Sequence, residues 1–372
     1  MPKIGTIFPF LRSIREFISA LRREKDYYLI RPRRATIEVT FRCNLKCPMC
    51  SVRKQGQSLD QKELSTGEIC VLIDDLFEMG IRSIRFIGAE PLMRRDILDL
   101  INYVKKKGME CDIVTNGTLI DEKLASALVA SGIDQVAISI DGLNSVHDVV
   151  RGVKGAFERV RDGLYNLKNA RMRADSSRPK INIRTTISSL NCKIENIENM
   201  IGFVEENQID RFSFGFIREV PMEIVRHSMF GNERIGSTRL VPESGSLLLD
   251  KEAIGNIKKA LKTNKKLSSY LDMVHYLSDE HLLKGTVPIE KCYQTRTVIL
   301  VNPYGDVIPC SNLDRYVFGN VRVTSIKKIW NNQRHQALTR FLQRGFFPMC
   351  SYCCHFEYTP LQRVKIAIRK HL

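Results

Sequence analysis

The stretch Thr36-Ile-Glu-Val-Thr-Phe-Arg-Cys-Asn-Leu-Lys-Cys-Pro-Met-Cys50 passes from a β-branched, apolar strand into a loop that holds Cys43, Cys47 and Cys50. Closely spaced cysteines after a strand suit a metal, or are simply buried thiols. Structural zinc takes four ligands, commonly two C-x2-C pairs or cysteines with histidines, and neither a His nor a fourth Cys stands near this loop. Three thiolates hold three corners of a four-iron cubane, which leaves one iron open to a further ligand.

Working outward, the chain alternates strand-like and helix-like segments. The strand-like runs are 36–40, 81–87, 111–115, 135–140, 180–187 and 211–217, each short and β-branched or apolar. Amphipathic stretches at 65–79, 95–107, 121–131, 156–170 and 194–207 lie between them. Gly80, Gly108 and Gly132 are expected to close helices in the left-handed conformation. Six βα units in a row imply a parallel sheet with right-handed crossovers, as an open doubly wound sheet or a barrel. In both, ligands gather at the carboxyl ends of the strands, where the cysteine loop emerges. Residues 218–250 read as an irregular insertion and 251–282 as helical, before a second cysteine-rich region begins at Cys292.

The three-cysteine loop resembles the signature of the radical S-adenosylmethionine (SAM) enzymes. Three further matches fall at successive strand ends: Gly88-Ala-Glu-Pro91, Thr115-Asn-Gly117 and Ser139-Ile-Asp-Gly142. The resemblance spans about residues 36–217 and implies an α/β partial (β/α)6 TIM-like barrel. It implies that Cys43, Cys47 and Cys50 hold a [4Fe–4S] cluster whose open iron chelates SAM. Backbone groups near Gly88, Ala89 and Glu90 would receive the SAM amino group, and Ser139 or Asp141 would contact its ribose or methionyl part. An electron from a donor such as flavodoxin or ferredoxin would then cleave SAM to a 5′-deoxyadenosyl radical. Two positions depart from the pattern: Met49 stands where an aromatic residue is common, and Ala89 replaces the second of two glycines. Arg184, on the fifth strand, is awkward as a lone buried charge and is expected to pair with a carboxylate of SAM or of Glu90.

Further on stand Cys292, Gly305-Asp-Val-Ile-Pro-Cys310 and Cys350-Ser-Tyr-Cys353-Cys354, with Asn302-Pro-Tyr-Gly set between strand-like runs as in a hairpin. Together with Ser325-Ile-Lys-Lys-Ile-Trp330 this resembles the SPASM or twitch extension over roughly residues 288–358. The resemblance implies one auxiliary [4Fe–4S] cluster on Cys292, Cys310, Cys350 and Cys353, with Cys354 an alternative to Cys353. Zinc suits the same four thiolates. Cys70, Cys111 and Cys192 read as core residues, and His147 and His355 receive no role.

With 372 residues the chain has room for one large domain and a smaller one. The expected divisions are 1–35, an amphipathic end; 36–250, barrel with insertion; 251–287, connector; 288–358, cluster domain; and 359–372, a second amphipathic end. No run approaches the roughly 18 apolar residues of a membrane span. Eleven cysteines in short clusters fit a reducing cytosol. Of the net charge of +17, residues 1–35 carry +6 and residues 361–372 carry +4, so the two ends hold ten charges. Apolar stripes at both ends, flanked by these cations, suit peripheral contact with an anionic membrane face. Nucleic acid is disfavoured, since no RNA-binding module accompanies the charge. The expected activity is hydrogen abstraction from a small or lipid-linked substrate, with the auxiliary cluster passing an electron. Peptide modification comes second, favoured less because the residues ahead of the barrel are too few for a winged-helix leader reader. A non-catalytic iron–sulfur or zinc protein that binds nucleic acid is the rival class.

Overall fold

The computed structural model describes residues 34–50, 61–239, 245–271, 277–289 and 294–353, with Pro32, Val52, Val241, Val274 and Cys292 besides. Cys354, His355 and both amphipathic ends lie outside the described residues, and with them the membrane and nucleic-acid expectations. Among the described residues, no helix is long and apolar enough to cross a membrane.

Six parallel strands form the frame: β1 (Arg34–Glu38), β2 (Ser83–Ile87), β3 (Glu110–Thr115), β4 (Gln135–Ser139), β5 (Lys180–Ile187) and β6 (Arg211–Phe216). Each pairs with the next in order. Period-two alternation sends Ile37, Ile84, Phe86, Ile113, Ile138 and Ile183 into a fully buried layer, while Glu38, Arg85, Asp112, Ser139 and Arg184 occupy the other face. Polar side chains on the inner face of a curled parallel sheet, with apolar ones beneath a helical jacket, are the pattern of a partial TIM barrel.

The jacket is α1 (Thr66–Glu78), α2 (Ile97–Lys106), α3 (Glu122–Ala130), α4 (Asn144–Arg151), α5 (Ala156–Arg173) and α6 (Ile194–Glu206). Ser65 and Glu68 close α1 with a reciprocal capping box. Gly80, Gly108 and Gly132 have φ of +88°, +68° and +69°, the left-handed turns expected of them. Helix α4 was not legible in the strand-helix beat. It is short and lies between two glycine-bearing turns, so its period is hard to separate from a loop.

Two further segments differ from expectation. Residues 218–250 carry a short helix, Met222–His227, and a hairpin of β7 (Met229–Phe230) and β8 (Glu233–Arg234). The single helical stretch expected over 251–282 is broken into Lys251–Thr263, Lys265–Tyr270 and Asp279–Lys284. The first break is at Asn264, whose side chain leaves the helix to accept a hydrogen bond from the Leu267 N–H at 3.0 Å.

The hairpin at Asn302-Pro-Tyr-Gly forms as expected, between β9 (Val298–Val301) and β10 (Asp306–Ile308). Its placement was not foreseen. Strand β9 pairs in parallel with β1, so the sheet runs to nine strands in the order β11-β10-β9-β1-β2-β3-β4-β5-β6, with β11 at Gly319–Asn320. The second cysteine region is thereby fastened to the strand that launches the first.

Candidate active site

The cysteine loop leaves the carboxyl end of β1 and is held by three neighbours. The Leu45 N–H points at Cys43 Sγ at 3.4 Å, Asn116 Nδ2 lies 3.9 Å from the same sulfur, and Arg151 Nη1 lies 3.9 Å from Cys47 Sγ. Leu45, Cys47, Met49, Val153 and Ala156 pack together around the loop, so Met49 serves the apolar role expected of it. The loop leans on the end of α4, where Lys46 N donates to Arg151 O at 3.1 Å.

Burial, with the charges of Glu90, Cys47 and Cys50, pushes the Cys43 thiol up to about 11, and burial likewise raises Cys47. A desolvated thiolate needs nearby positive charge, which iron supplies. With N–H donors already aimed at two sulfurs and only three thiols in the loop, the donor set fits a three-coordinated cubane. Among the described residues, no three His, Cys, Asp or Glu side chains close in on a single-ion position.

At the end of β2, Gly88 has φ +149°, and a Cβ there would lie 2.3 Å from Thr40 O. Only glycine fits this approach. The Ala89 and Glu90 N–H groups donate to Thr40 O and Arg42 O, both at 2.9 Å. These two N–H groups are therefore spent on the backbone ahead of the cysteine loop. Glu90 is fully buried and accepts hydrogen bonds from Leu92 N at 3.0 Å, Thr115 Oγ1 at 2.7 Å and Asn116 N at 2.7 Å. Its carboxylate clamps the ends of β2 and β3 together. Arg184 is consequently not its partner, so of the two expected carboxylates that of Glu90 is ruled out. Among the described residues, no carboxylate forms an ion pair with Arg184, and burial together with the Arg85 charge lowers its proton affinity.

Asp141, expected at a ligand, is turned away into the protein. Its side chain is fully buried, pairs with Arg151 at 2.6 Å and accepts from Thr186 N at 2.8 Å. The Asp141 N–H donates to His147 Nδ1 at 3.1 Å. Ser139 ends β4 half-buried, level with Arg184 across the ladder. The structure adds Arg151, Asn116 and Asn44 to this edge. Asn116 Nδ2 donates to Asn44 Oδ1 at 2.9 Å, and Asn44 Nδ2 donates to Thr118 Oγ1 at 2.9 Å. Asn116 lay within the quoted Thr-Asn-Gly motif. Arg151 had one signal, its place directly before Gly152, a left-handed helix cap.

Near the second cysteine region, the charges of Cys292, Cys350 and Cys353 all raise Cys310, after burial as the main cause. Burial, with Cys292, pushes Cys350 up to about 12. The four expected ligands therefore share one neighbourhood. Asn312 joins the two cysteine segments, donating from Nδ2 to Tyr352 O at 3.1 Å and to Met349 O at 3.5 Å.

A curled parallel sheet with three cysteines at its ligand edge, and four more grouped beyond the strands appended to it, defines a class of radical-generating iron–sulfur enzymes. Comparison with known proteins gives the family. Residues 37–183 match the model of the radical SAM superfamily, and residues 292–355 match an iron–sulfur cluster-binding domain. Fe-coproporphyrin III synthase of Methanosarcina barkeri is 30% identical over 313 residues, covering 79% of this chain and 72% of that protein. PqqA peptide cyclase of Xanthomonas oryzae pv. oryzae is 24% identical over 327 residues, covering 87% and 80%. The crystal structure of Streptococcus suis SuiB bound to S-adenosylmethionine superposes with a TM-score of 0.59 at 16% identity, covering 96% of this chain and 79% of that one. The chain belongs to the radical SAM superfamily and is an enzyme whose cofactors are [4Fe–4S] clusters and SAM.

Proposed function

We propose that Cys43, Cys47 and Cys50 hold the SAM-binding cluster, that Cys292, Cys310, Cys350 and Cys353 hold one auxiliary cluster, and that the enzyme abstracts hydrogen from a small-molecule substrate. The observation that carries this reading is the gathering of three thiols at the barrel's carboxyl edge, with Arg151 and Asn116 donating toward sulfur. When bound, the cluster and SAM supply a 5′-deoxyadenosyl radical at this edge. Arg151, held by Asp141, presents a guanidinium beside Cys47, placed to receive the SAM carboxylate. Backbone groups of the Gly88–Glu90 turn would receive the SAM ammonium. The barrel wall keeps water and stray hydrogen donors from the reacting atoms. The auxiliary cluster would be held by loops that follow from strands fused to β1, beginning with Cys310 just past β10, where it could pass an electron to or from substrate.

The small-molecule reading draws support from the relative named Fe-coproporphyrin III synthase. A peptide substrate is the second reading, favoured by PqqA peptide cyclase and by SuiB, which has been crystallised with its precursor peptide. Anaerobic reconstitution followed by dithionite and SAM should yield 5′-deoxyadenosine and about eight irons per chain, four for each cubane. A Cys47→Ala variant should yield none of the nucleoside and about four irons. Wild-type protein that forms no 5′-deoxyadenosine overturns the activity, and about four irons with bound zinc overturns the auxiliary cluster.

A further inference from the structure

The inner face of the barrel carries more positive charge than its own carboxylates balance. Arg85 on β2 stands in register with Thr36 on β1 and Asp112 on β3, and Arg34 lies two residues below Thr36 on the same face. Arg184 reaches the same region from β5. The charges acting most strongly on it are Arg85, Asp112 and Arg34, all of this wall and none at the cysteine loop. Asp112 pairs with Arg85 at 2.9 Å. Of the other acids on this face, Glu110 is exposed at the start of β3 and Glu38 is taken by Arg239. Gln135 Oε1 is taken by Arg211 at 3.3 Å. Three guanidinium groups therefore share one carboxylate.

The wall also shows unmet hydrogen-bonding capacity. Arg34 Nε, Arg85 Nε and Asn182 Oδ1 are buried without a hydrogen-bond partner. Buried donors and like charges of this kind are costly unless something completes them. Guanidinium groups bind carboxylate and phosphate in a two-pronged geometry, and a concave, partly desolvated wall strengthens that contact.

We propose that Arg34, Arg85 and Arg184 form an oxyanion subsite inside the barrel that grips an acidic group of the substrate, a carboxylate or a phosphate. The proposal rests on the barrel being the substrate chamber, as put forward above. It separates two cationic tasks: Arg151 sits beside the cysteine sulfurs, while these three arginines lie on the wall away from them. An acidic handle held there fixes which hydrogen of the substrate is presented to the carboxyl edge, so the subsite also orients the reaction.

Calorimetric titration of the reconstituted enzyme with citrate and with inorganic pyrophosphate, SAM present and ionic strength fixed with chloride, tests this. One saturable site is expected, and the tighter probe assigns the anion class. Arg85→Gln/Arg184→Gln should weaken binding at least roughly tenfold, as expected for losing charge-assisted contacts. Asp112→Asn, which removes the competing carboxylate, should tighten it several-fold, and this variant decides the matter should the double variant fail to fold. Absence of saturable binding, equal affinity in the double variant, or unchanged or weaker binding in Asp112→Asn overturns the subsite. A parallel fall in SAM affinity assigns the arginines to the cofactor and overturns it too. Because the titration needs no turnover, loss of this subsite with 5′-deoxyadenosine still formed leaves the proposed function standing. Failure to form the nucleoside strikes the proposed function instead.

Discussion

Gly152 shows how narrowly the cysteine loop is fixed by single residues. It follows Arg151 with φ +67°, and a Cβ there would lie 2.1 Å from Lys46 O, inside the loop itself. Gly152→Ala therefore combines left-handed strain with a backbone clash, worth roughly 1–3 kcal/mol. Denaturant unfolding should register that loss. Iron analysis of the same variant should fall from about eight toward about four per chain, because the displaced loop loses its cubane while the second set of cysteines is untouched. Wild-type stability together with wild-type iron content would show that α4 does not brace the loop. Gly152 does not stand out in the sequence and Arg151 does so only by preceding it, since their meaning lies in a contact with Lys46 and Cys47 some hundred residues earlier.

Among elements, α4 carries the most function for its length. It buries His147 and Val150 against the barrel and delivers Arg151 to Asp141 and Cys47. His147 accepts from the Asp141 N–H, which requires an unprotonated Nδ1, and burial pushes its pKa down to about 3 from 6.5. The folded protein thus binds this proton less readily than the unfolded chain. The stabilisation is fully present above 6.5 and is lost as pH falls from there toward 3, with a slope of roughly 1.4 kcal/mol per unit. His147→Gln keeps an acceptor but cannot titrate, so its unfolding free energy should vary less between pH 7 and pH 5 than that of the wild type. Parallel pH profiles for the two would show that the ring is not held neutral. The other jacket helices were legible because their apolar periods run longer, and two of them open on a side-chain cap, Ser65 with Glu68 for α1 and Asp121 for α3. Helix α4 has only eight residues and no side-chain cap.

At the scale of the whole molecule, Arg239 ties three distant parts of the chain together. Its guanidinium bonds Glu38 in β1, with Nη2 to Oε2 at 2.9 Å, and Asp314 just past Cys310, with Nε to Oδ2 at 2.8 Å, while lying 5.1 Å over the Phe41 ring. All of this is buried or nearly so. Arg239→Met would strand the Glu38 carboxylate and should cost about 3–5 kcal/mol in urea unfolding. Glu38→Leu/Arg239→Met should recover much of that loss, because the desolvated pair leaves together. A single variant with the wild-type midpoint would remove Arg239 as a structural tie between the two cysteine regions.

The sequence by itself determined the order of the six barrel strands and of five of the six jacket helices, the seven cysteines in two groups, and the glycines at helix ends, because these depend on local period and spacing. Only the tertiary structure decided that Glu90 clamps strands instead of meeting Arg184, that Asp141 serves Arg151, and that β9 joins β1. The Glu90 clamp and the β9–β1 pairing join groups far apart along the chain, Asp141 and Arg151 meet across α4, and in each case the partner is chosen by the burial and packing that folding creates.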